Sequence, residues 1–364
     1  MPLILHPKAF YHKIQCFWPN KRLEPSLLKQ VISQYDFEAI NFNQKSAGGY
    51  RGLNIIIKTS DGIKILKQYK PTLGDSTIAQ EHSILKYLSK AGFPVPLLKK
   101  TKSGDTLLQI EKQKFALFDF IAKGYHYNNY LLLPGQADDH IKTAGRTLGY
   151  LHKLLNNFNP LGYNPDGFKS KGGDRWRTIE WFADRMNYCI KASNCFSGSE
   201  DNRVLLSHAD FLNEQLFHLD DQLKRKNLRF ILIHGDYTPF NLLYTDISTA
   251  FVLDFEMARL DWLLIDIVRS WQAFCSNKSG FDLEKMETFL DAYQLHMSIF
   301  EDELSLIPEV WSFFCIINFI QSWKGYFDSG SSKRLGAACR FLNALKWMDD
   351  HRKIIAEFKI SRSR

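Results

Sequence analysis

Hydrophobic and polar positions recur with two different periods along the chain, and the period changes near residue 122. Before that point, short apolar runs bounded by turn residues predict strands at 53–59, 63–69, 106–111 and 115–121. Ser60-Asp61-Gly62, between the first two runs, is typical of a hairpin turn. After residue 122 the period of amphipathic helices dominates. The pattern therefore predicts a small antiparallel β region followed by a larger, mainly helical region.

Helical spacing occurs in both regions. In the first region it predicts helices at 24–35 and 76–90. In the second region it recurs in five segments, which are 137–155, 176–190, 203–225, 281–297 and 335–348. At roughly 100–200 residues per domain, a chain of 364 residues is expected to form about two domains. We place them at 1–120 and 121–364.

Composition and charge narrow the class of protein. With 45% hydrophobic and 24% charged residues, the chain has the proportions of a soluble globular protein rather than a disordered one. It has no signal-peptide pattern and no apolar run long enough to span a bilayer, and its six cysteines form no CxxC pair. We therefore expect a cytoplasmic protein without membrane contact. The net charge of +8 is unevenly spread, with +9 in residues 1–120 and −3 in residues 241–364.

The segment richest in candidate chemistry follows the short apolar run 231–233. It reads His234-Gly235-Asp236, with Asn241 five residues after the aspartate, and a second apolar strand then leads into Asp254-Phe255-Glu256. Three polar anchors thus stand at set distances beside apolar strands. This H-G-D-x-x-x-x-N and D-F-E pattern resembles the catalytic and metal loops of the aminoglycoside phosphotransferase and choline kinase-like superfamily. The alternative interpretation is two strands joined by a capped turn.

The resemblance implies an α+β fold of the bilobal protein-kinase type. Residues 1–120 would contain an N-terminal extension and a nucleotide-binding lobe with a small antiparallel sheet, and 121–364 a larger helical lobe for catalysis and substrate binding. The implied reaction is transfer of the γ-phosphate of ATP to a hydroxyl of a small molecule. Asp236 would be the catalytic base, assisted by Asn241. Asn241 and Asp254 would hold Mg²⁺.

Two charged residues upstream are expected to form a pair. The alternation of the 63–69 strand places Lys67 on one face and Lys64 on the other. Glu81 lies on the apolar stripe of the 76–90 helix, where a lone carboxylate is costly unless it is paired. The resemblance identifies Lys67 with the family's phosphate-binding lysine and Glu81 with its partner. An unpaired surface lysine and an unrelated carboxylate are the alternative.

A glycine-rich loop precedes the 53–59 strand. Gly48, Gly49 and Gly52 allow a backbone to approach phosphates closely, and the resemblance assigns these glycines to nucleotide binding. The loop departs from the G-x-G-x-x-G pattern of protein kinases, so an ordinary hairpin is the alternative.

Three other functions compete with the small-molecule kinase. A protein kinase would have H-R-D in the catalytic loop and an A-P-E segment at activation-loop distance, which the chain lacks. A catalytically silent nucleotide-binding pseudokinase would be expected to lack some of the five residues that the resemblance assigns to the site, but all are present: Lys67, Glu81, Asp236, Asn241 and Asp254. The pI of 9.0 suggests a nucleic-acid binder, but no signature of that class accompanies the charge, and we expect no nucleic-acid partner. His208-Ala209-Asp210 imitates the H-x-D part of the catalytic motif, but the apolar residues around it have helical spacing, so we interpret it as part of an amphipathic helix.

The acceptor is not determined by the sequence. Amino sugars, amino alcohols such as choline or homoserine, other sugars and nucleosides all agree with the resemblance. The acidic stretch 281–303 would suit a cationic acceptor such as an amino sugar or amino alcohol, but a solvated helix face is the preferred interpretation. Asp261-Trp262-Leu263-Leu264-Ile265-Asp266 resembles the family segment whose aspartate braces the catalytic loop, and the resemblance assigns this role to Asp266. The role of Glu256 is undecided: it could help to hold a metal, bind a substrate amine or be a polar turn residue. The oligomeric state is open too.

Overall fold

A computed structural model of the chain describes residues 22–46, 53–127, 136–158, 178–195, 199–277 and 280–358. The chain divides into two compact units. The first consists of Met1–Gly124 together with Phe251–Glu256, and the second of Tyr125–Ala250 together with Met257–Arg364. The first unit therefore includes a short segment from much later in the chain. The sequence-based boundary after residue 120 stays a prediction.

The first unit is built on a five-stranded antiparallel sheet in the order β1-β2-β3-β5-β4. Its strands are β1 (Ala39–Ser46), β2 (Leu53–Thr59), β3 (Gly62–Gln68), β4 (Leu108–Ile110) and β5 (Gln113–Asp119). Helix α1 (Pro25–Ile32) supplies Leu28 and Val31 to a core shared with the buried Ile55, Leu66 and Phe115 of the sheet. Helix α2 (Asp75–Lys90) follows β3.

The second unit is mainly helical. Its helices are α3 (Gln136–Asn156), α4 (Ile179–Cys195), α5 (Glu200–Lys224), α6 (Leu263–Phe274), α7 (Leu283–Gln294), α8 (Glu301–Leu304), α9 (Ile307–Ser329) and α10 (Ser332–Ala356). Strands β6 (Phe230–Ile233) and β9 (Arg259–Trp262) pair antiparallel. Strand β7 (Leu242–Tyr244) also belongs to this unit, whereas β8 (Ala250–Val252) has only its first residue here and continues into the segment 251–256 of the first unit.

The α+β architecture expected from the periodicity is confirmed. The predicted strand 53–59 is β2, and the predicted helix 76–90 is α2 with one further residue at its start. Helix α9 was not predicted, because it is buried on nearly every side and so lacks the polar stripe that reveals an amphipathic helix. Among the described residues, no helix has the length and apolar character needed to cross a membrane.

Two glycines allow helices α3 and α7 to pack backbone against backbone. Gly145 and Gly149 are four residues apart and so lie on the same face of α3. A Cβ added at Gly145 would overlap the carbonyl oxygen of Phe289, and one at Gly149 would overlap that of Tyr293. This contact requires glycine because any side chain would force the two helices apart.

We predict that Gly149→Ala destabilises the protein, because the added methyl group collides with backbone that cannot move aside. Overpacking of this kind costs about 1–3 kcal/mol, so the thermal unfolding midpoint should fall. Gly336→Ala in α10 is the matched control, since the nearest neighbour of its Cβ would be Arg340 at 3.7 Å. That control should raise stability by about 0.5–1 kcal/mol, as alanine does in a helix interior. Equal midpoints for the two variants would contradict the packing argument.

Candidate active site

Lys67 of β3 is surrounded by three carboxylates within the first unit. Its Nζ lies 3.0 Å from Oε1 of Glu81, 2.8 Å from Oε1 of Glu256 and 3.3 Å from Oδ1 of Asp254. The structure thus brings Lys67 and Glu81 together as expected. Glu256 has a nearly buried carboxylate that contacts Lys67, a partner that the sequence did not suggest. Lys64 points away from this group and binds Asp119, with an Nζ–Oδ1 distance of 2.7 Å.

Burial and charge act against each other in this cluster. Burial works to lower the pKa of the Lys67 ammonium, but Glu81, Asp254 and Glu256 outweigh it, so that pKa lies well above its usual range. Burial raises the pKa of Glu81, and Asp254 and Glu256 add to the effect against the attraction of Lys67. Lys67 therefore stays charged, and each group depends on the others to offset the cost of desolvation.

A chain of buried polar groups supports Glu81 from its other side. The Tyr69 hydroxyl donates to Oε2 of Glu81 at 2.8 Å and lies 3.0 Å from Nε2 of His82. Nδ1 of His82 lies 2.8 Å from the hydroxyl of Thr106. Burial, with Lys67 nearby, lowers the pKa of His82 to about 4, so its ring is neutral at pH 7. No sequence pattern predicted this support, and the only hint was that Tyr69 stands two residues after Lys67.

Asp254 adopts a backbone conformation that few residues other than glycine occupy, with φ of 61°. Such a conformation costs about 1–3 kcal/mol and is concentrated at functional positions. The Asp254 side chain is 35% exposed, whereas that of Glu256 is 6% exposed. The carboxylate of Asp254 is thus accessible to a ligand, and the surrounding structure must hold the residue in its unfavourable backbone conformation.

The H-G-D segment of the second unit is held by the carboxylate of Asp266. Oδ2 of Asp266 accepts from the backbone N–H of His234 at 2.7 Å, and Oδ1 accepts from that of Gly235 at 2.8 Å. Gly235 has φ of 76°, and a Cβ there would overlap the carbonyl oxygen of Met257 and the guanidinium of Arg259. The loop therefore requires glycine where protein kinases have arginine, and Asp266 braces it as expected.

Asp266 is itself fixed by helices α3 and α7. It is fully buried, and His152 of α3 lies between it and Tyr293 of α7, with Nε2 3.2 Å from Oδ2 and Nδ1 2.9 Å from the tyrosine hydroxyl. Burial alone would raise the pKa of Asp266, but the hydrogen bond from His152 and the charge of Arg259 help to outweigh it, and the pKa lies below its ordinary value. His152 was not anticipated, because a lone histidine on a helix carries no distinctive pattern.

Both carboxylate oxygens of Asp236 have a side-chain partner. Nδ2 of Asn241 donates to Oδ2 at 3.2 Å and to the backbone carbonyl of Asp236 at 2.8 Å. Nη2 of Arg269 forms an ion pair with Oδ1. The structure thus brings Asp236 and Asn241 together and adds Arg269, which sequence reasoning missed. Its signal was its position on α6, one turn after Asp266 and therefore on the same face.

Other sequence-based expectations have different outcomes. Gly48, Gly49 and Gly52 lie outside the described residues. In the acidic stretch 281–303, Glu303 is buried in an ion pair with Arg229, with Oε2 2.6 Å from Nη2, whereas several others are exposed. These positions agree with the preferred interpretation of the stretch as a largely solvated face. The imitation motif at 208–210 lies in helix α5, as expected.

The donor chemistry suits a hard divalent cation whose coordination is completed by another molecule. Among the described residues there is no group of three or more His, Cys, Asp or Glu side chains placed to hold a metal. The exposed carboxylate of Asp254 in the first unit offers hard oxygen ligands. Mg²⁺ is typically bound through one or two protein oxygens together with substrate phosphates and water. An accessible carboxylate such as that of Asp254 therefore suits a metal that arrives with a phosphorylated ligand.

Comparison with known proteins identifies the class. The sequence profile of the phosphotransferase enzyme family matches residues 44–297. A homoserine kinase of Sinorhizobium fredii is 23% identical over 284 residues, which are 77% of this chain and 78% of that protein. A homoserine kinase of Agrobacterium fabrum is 21% identical over 285 residues, covering 77% of this chain and 79% of that one.

Solved structures show the same fold. An aminoglycoside phosphotransferase of Alicyclobacillus acidocaldarius superposes with a TM-score of 0.65 at 14% identity, covering 93% of this chain and 96% of its own. An amicoumacin kinase in complex with AMP-PNP and Ca²⁺ gives 0.63 at 16% identity, covering 95% and 96%. The fold is that of the protein-kinase-like small-molecule kinases, and the protein is a phosphotransferase with an alcohol group as acceptor. The chain belongs to the phosphotransferase enzyme family.

We predict that Asp266→Asn destabilises the second unit, because an amide cannot accept from both backbone N–H groups and His152. Breaking a buried charge network in this way costs about 3–5 kcal/mol. Since the pKa of Asp266 is lower in the folded protein, its stabilisation is complete above the unfolded pKa and is lost as pH falls through the folded one. The difference in unfolding midpoint from wild type should be full at pH 7 and should shrink below about pH 4.

The exposed carboxylate of Asp221 provides the control for that measurement. Within the part of the chain that the structure describes, Asp221 pairs only with the exposed Arg225 one turn later in α5, and such surface pairs contribute about 0–1 kcal/mol. Asp221→Asn should therefore leave the midpoint nearly unchanged at either pH. A midpoint for Asp266→Asn equal to that of this control would contradict the bracing role.

Proposed function

We propose that this protein is an ATP- and Mg²⁺-dependent kinase that phosphorylates the hydroxyl of a small amino-bearing alcohol, with homoserine as the first acceptor to test. The observation that carries the proposal is the fixed Asp236 carboxylate, which Asn241 and Arg269 hold on a loop braced by Asp266. The homoserine kinases among its relatives supply the candidate acceptor, and they align over more than three quarters of both chains.

Asp236 would act as the general base. An alcohol is a weak nucleophile, and a carboxylate beside it can accept its proton as the phosphoryl group is transferred. Because both oxygens of Asp236 are already oriented by donors, the carboxylate needs little reorganisation when the acceptor binds. Asn241 would serve twice, by orienting Asp236 and by offering its amide oxygen to the metal.

Lys67 would bind the phosphates of ATP. Its ammonium stays charged and is oriented by Glu81, which is held in turn by Tyr69. Asp254 would supply a carboxylate oxygen to Mg²⁺, and the metal would neutralise charge on the phosphates. The glycines at 48, 49 and 52 would let the backbone approach the nucleotide.

The decisive experiment measures ADP formation from Mg²⁺ and ATP with a panel of acceptors that includes homoserine, ethanolamine, choline, an aminoglycoside and a protein substrate. Turnover stimulated by a small alcohol supports the proposal. Stimulation by the protein substrate alone would identify a protein kinase. Intact ATP binding without turnover on any acceptor would identify a pseudokinase. Gly235 favours the first result, because its loop does not admit the arginine of the protein-kinase motif.

We predict that Asp236→Ala lowers kcat by about 10²–10⁴-fold, the usual contribution of a general base. ATP affinity should remain close to that of wild type, because the nucleotide contacts are assigned to other residues. Steady-state rates and calorimetric titration with a non-hydrolysable ATP analogue would measure the two effects. Asp210→Ala in the imitation motif on α5 is the control and should change neither quantity. Near-normal turnover by Asp236→Ala would exclude it as the base.

We predict that Lys67→Met raises the KM for ATP by about 10- to 100-fold, because the substitution removes a charge-assisted contact to phosphate. The exposed Lys58 on the neighbouring strand β2 offers the control, and Lys58→Met should leave the KM unchanged. Since the substitution also leaves Glu81 without its cation, thermal unfolding should be recorded in parallel. An unchanged KM in folded Lys67→Met would show that this lysine does not bind the nucleotide.

A further inference from the structure

Arg269 has more hydrogen-bonding capacity than its surroundings use. Its Nη2 pairs with Oδ1 of Asp236, and its guanidinium lies over the ring of Phe314, 5.9 Å from the ring centroid. Its Nε is buried and has no hydrogen-bond acceptor among the described residues. A guanidinium presents five N–H donors in a planar fork, so one partner leaves most of them unsatisfied. The side chain is nevertheless 27% exposed, which leaves it accessible to a small ligand.

The position of Arg269 is firmly determined. Asp266, Arg269 and Ser270 lie within one turn of α6 and share a face. Asp266 binds the backbone of the catalytic loop, and the hydroxyl of Ser270 donates to the carbonyl of Asp266 at 2.6 Å. The helix that holds the loop therefore also places a cation directly against the proposed base. A bound acceptor whose hydroxyl reaches Asp236 necessarily places its neighbouring atoms close to Arg269.

We propose that Arg269 binds a carboxylate of the acceptor, so that the enzyme selects short hydroxy acids over the same alcohols without the acid group. The inference rests on the proposed function and specifies its acceptor. A carboxylate is planar and accepts two parallel hydrogen bonds, which matches the guanidinium fork. It would accept from N–H groups of the fork that do not bind Asp236. A cationic group at the same place would be repelled by the guanidinium.

This assignment makes Arg269 a specificity-determining residue, with a second effect on the orientation of Asp236. These two roles can be distinguished by comparing acceptors with and without a carboxylate. An effect through Asp236 alters transfer to every acceptor equally, whereas an effect through the acceptor's carboxylate alters only acceptors that have one. The informative quantity is therefore the ratio of kcat/KM between two acceptors that differ only in that group, compared between wild type and variant.

The test uses L-homoserine against 3-aminopropanol, which is homoserine without its carboxylate, and L-serine against ethanolamine as a second pair. ADP formation is followed with saturating Mg²⁺ and ATP. We expect wild type to prefer the carboxylated member of at least one pair. In Arg269→Gln the preference should fall about 10- to 100-fold, mainly through a higher KM for the carboxylated acceptor. Arg269→Lys should recover part of it, because the charge remains without the fork.

Arg225→Gln is the matched control, since Arg225 is an exposed arginine of α5 that forms a surface ion pair with Asp221. It should leave the preference unchanged. A fall in kcat for both members of a pair with an unchanged ratio in Arg269→Gln would show that Arg269 only positions Asp236 or contacts the transferred phosphate, and would overturn the inference.

The remaining outcomes separate this inference from the proposed function. If wild type phosphorylates choline, an aminoglycoside or the amino alcohols but neither carboxylated acceptor, the carboxylate inference is wrong and the kinase proposal stands. If wild type phosphorylates no acceptor in the full panel, both are wrong. A clear preference for a carboxylated acceptor that Arg269→Gln abolishes supports both.

Discussion

The carboxylate of Asp266 is shielded completely from solvent, and it receives hydrogen bonds from two consecutive backbone N–H groups of the H-G-D loop. A buried charge is tolerated only when its bonding capacity is used. The loop therefore cannot change its path without exposing that charge to an apolar interior. The same requirement extends to His152 and Tyr293, which secure Asp266 from helices α3 and α7. The position of Asp236 on this loop thus depends on the buried carboxylate of Asp266.

The sequence predicted the parts of this structure that depend on local pattern. Strand β2 and helix α2 follow directly from their periodicity, and the spacing of Asp236 and Asn241 placed them in one loop. What it missed depends on distant partners. Helix α9 lacks a polar face because neighbours cover it on nearly every side. The roles of Arg269 and His152 could not be predicted, because they depend on contacts with Asp236 and Asp266 that form only when separate elements of the fold pack together.

The charges that surround Lys67 and Asp236 do not follow the net charge of the sequence segments that supply them. Residues 1–120 carry a balance of +9, yet Lys67 is surrounded by three carboxylates, two of which come from residues 251–256. Residues 241–364 carry −3, yet they supply the cation of Arg269 and the amide of Asn241, which hold the carboxylate of Asp236 in the preceding segment. Net charge along the sequence is therefore a poor guide to the field at a site, which depends on a few buried partners.

The first unit is discontinuous in sequence, and this has a consequence for the order of synthesis. Its strands and α2 are complete by residue 124, but Asp254 and Glu256 arrive only after more than a hundred further residues. The backbone N–H of Val252 then donates to the carbonyl of Pro94 at 2.9 Å, which ties the late segment to the earlier chain. During translation an N-terminal unit generally folds first. Here the ribosome must pass residue 256 before that unit can close, so a fragment ending at 124 would present Lys67 and Glu81 without their remaining partners.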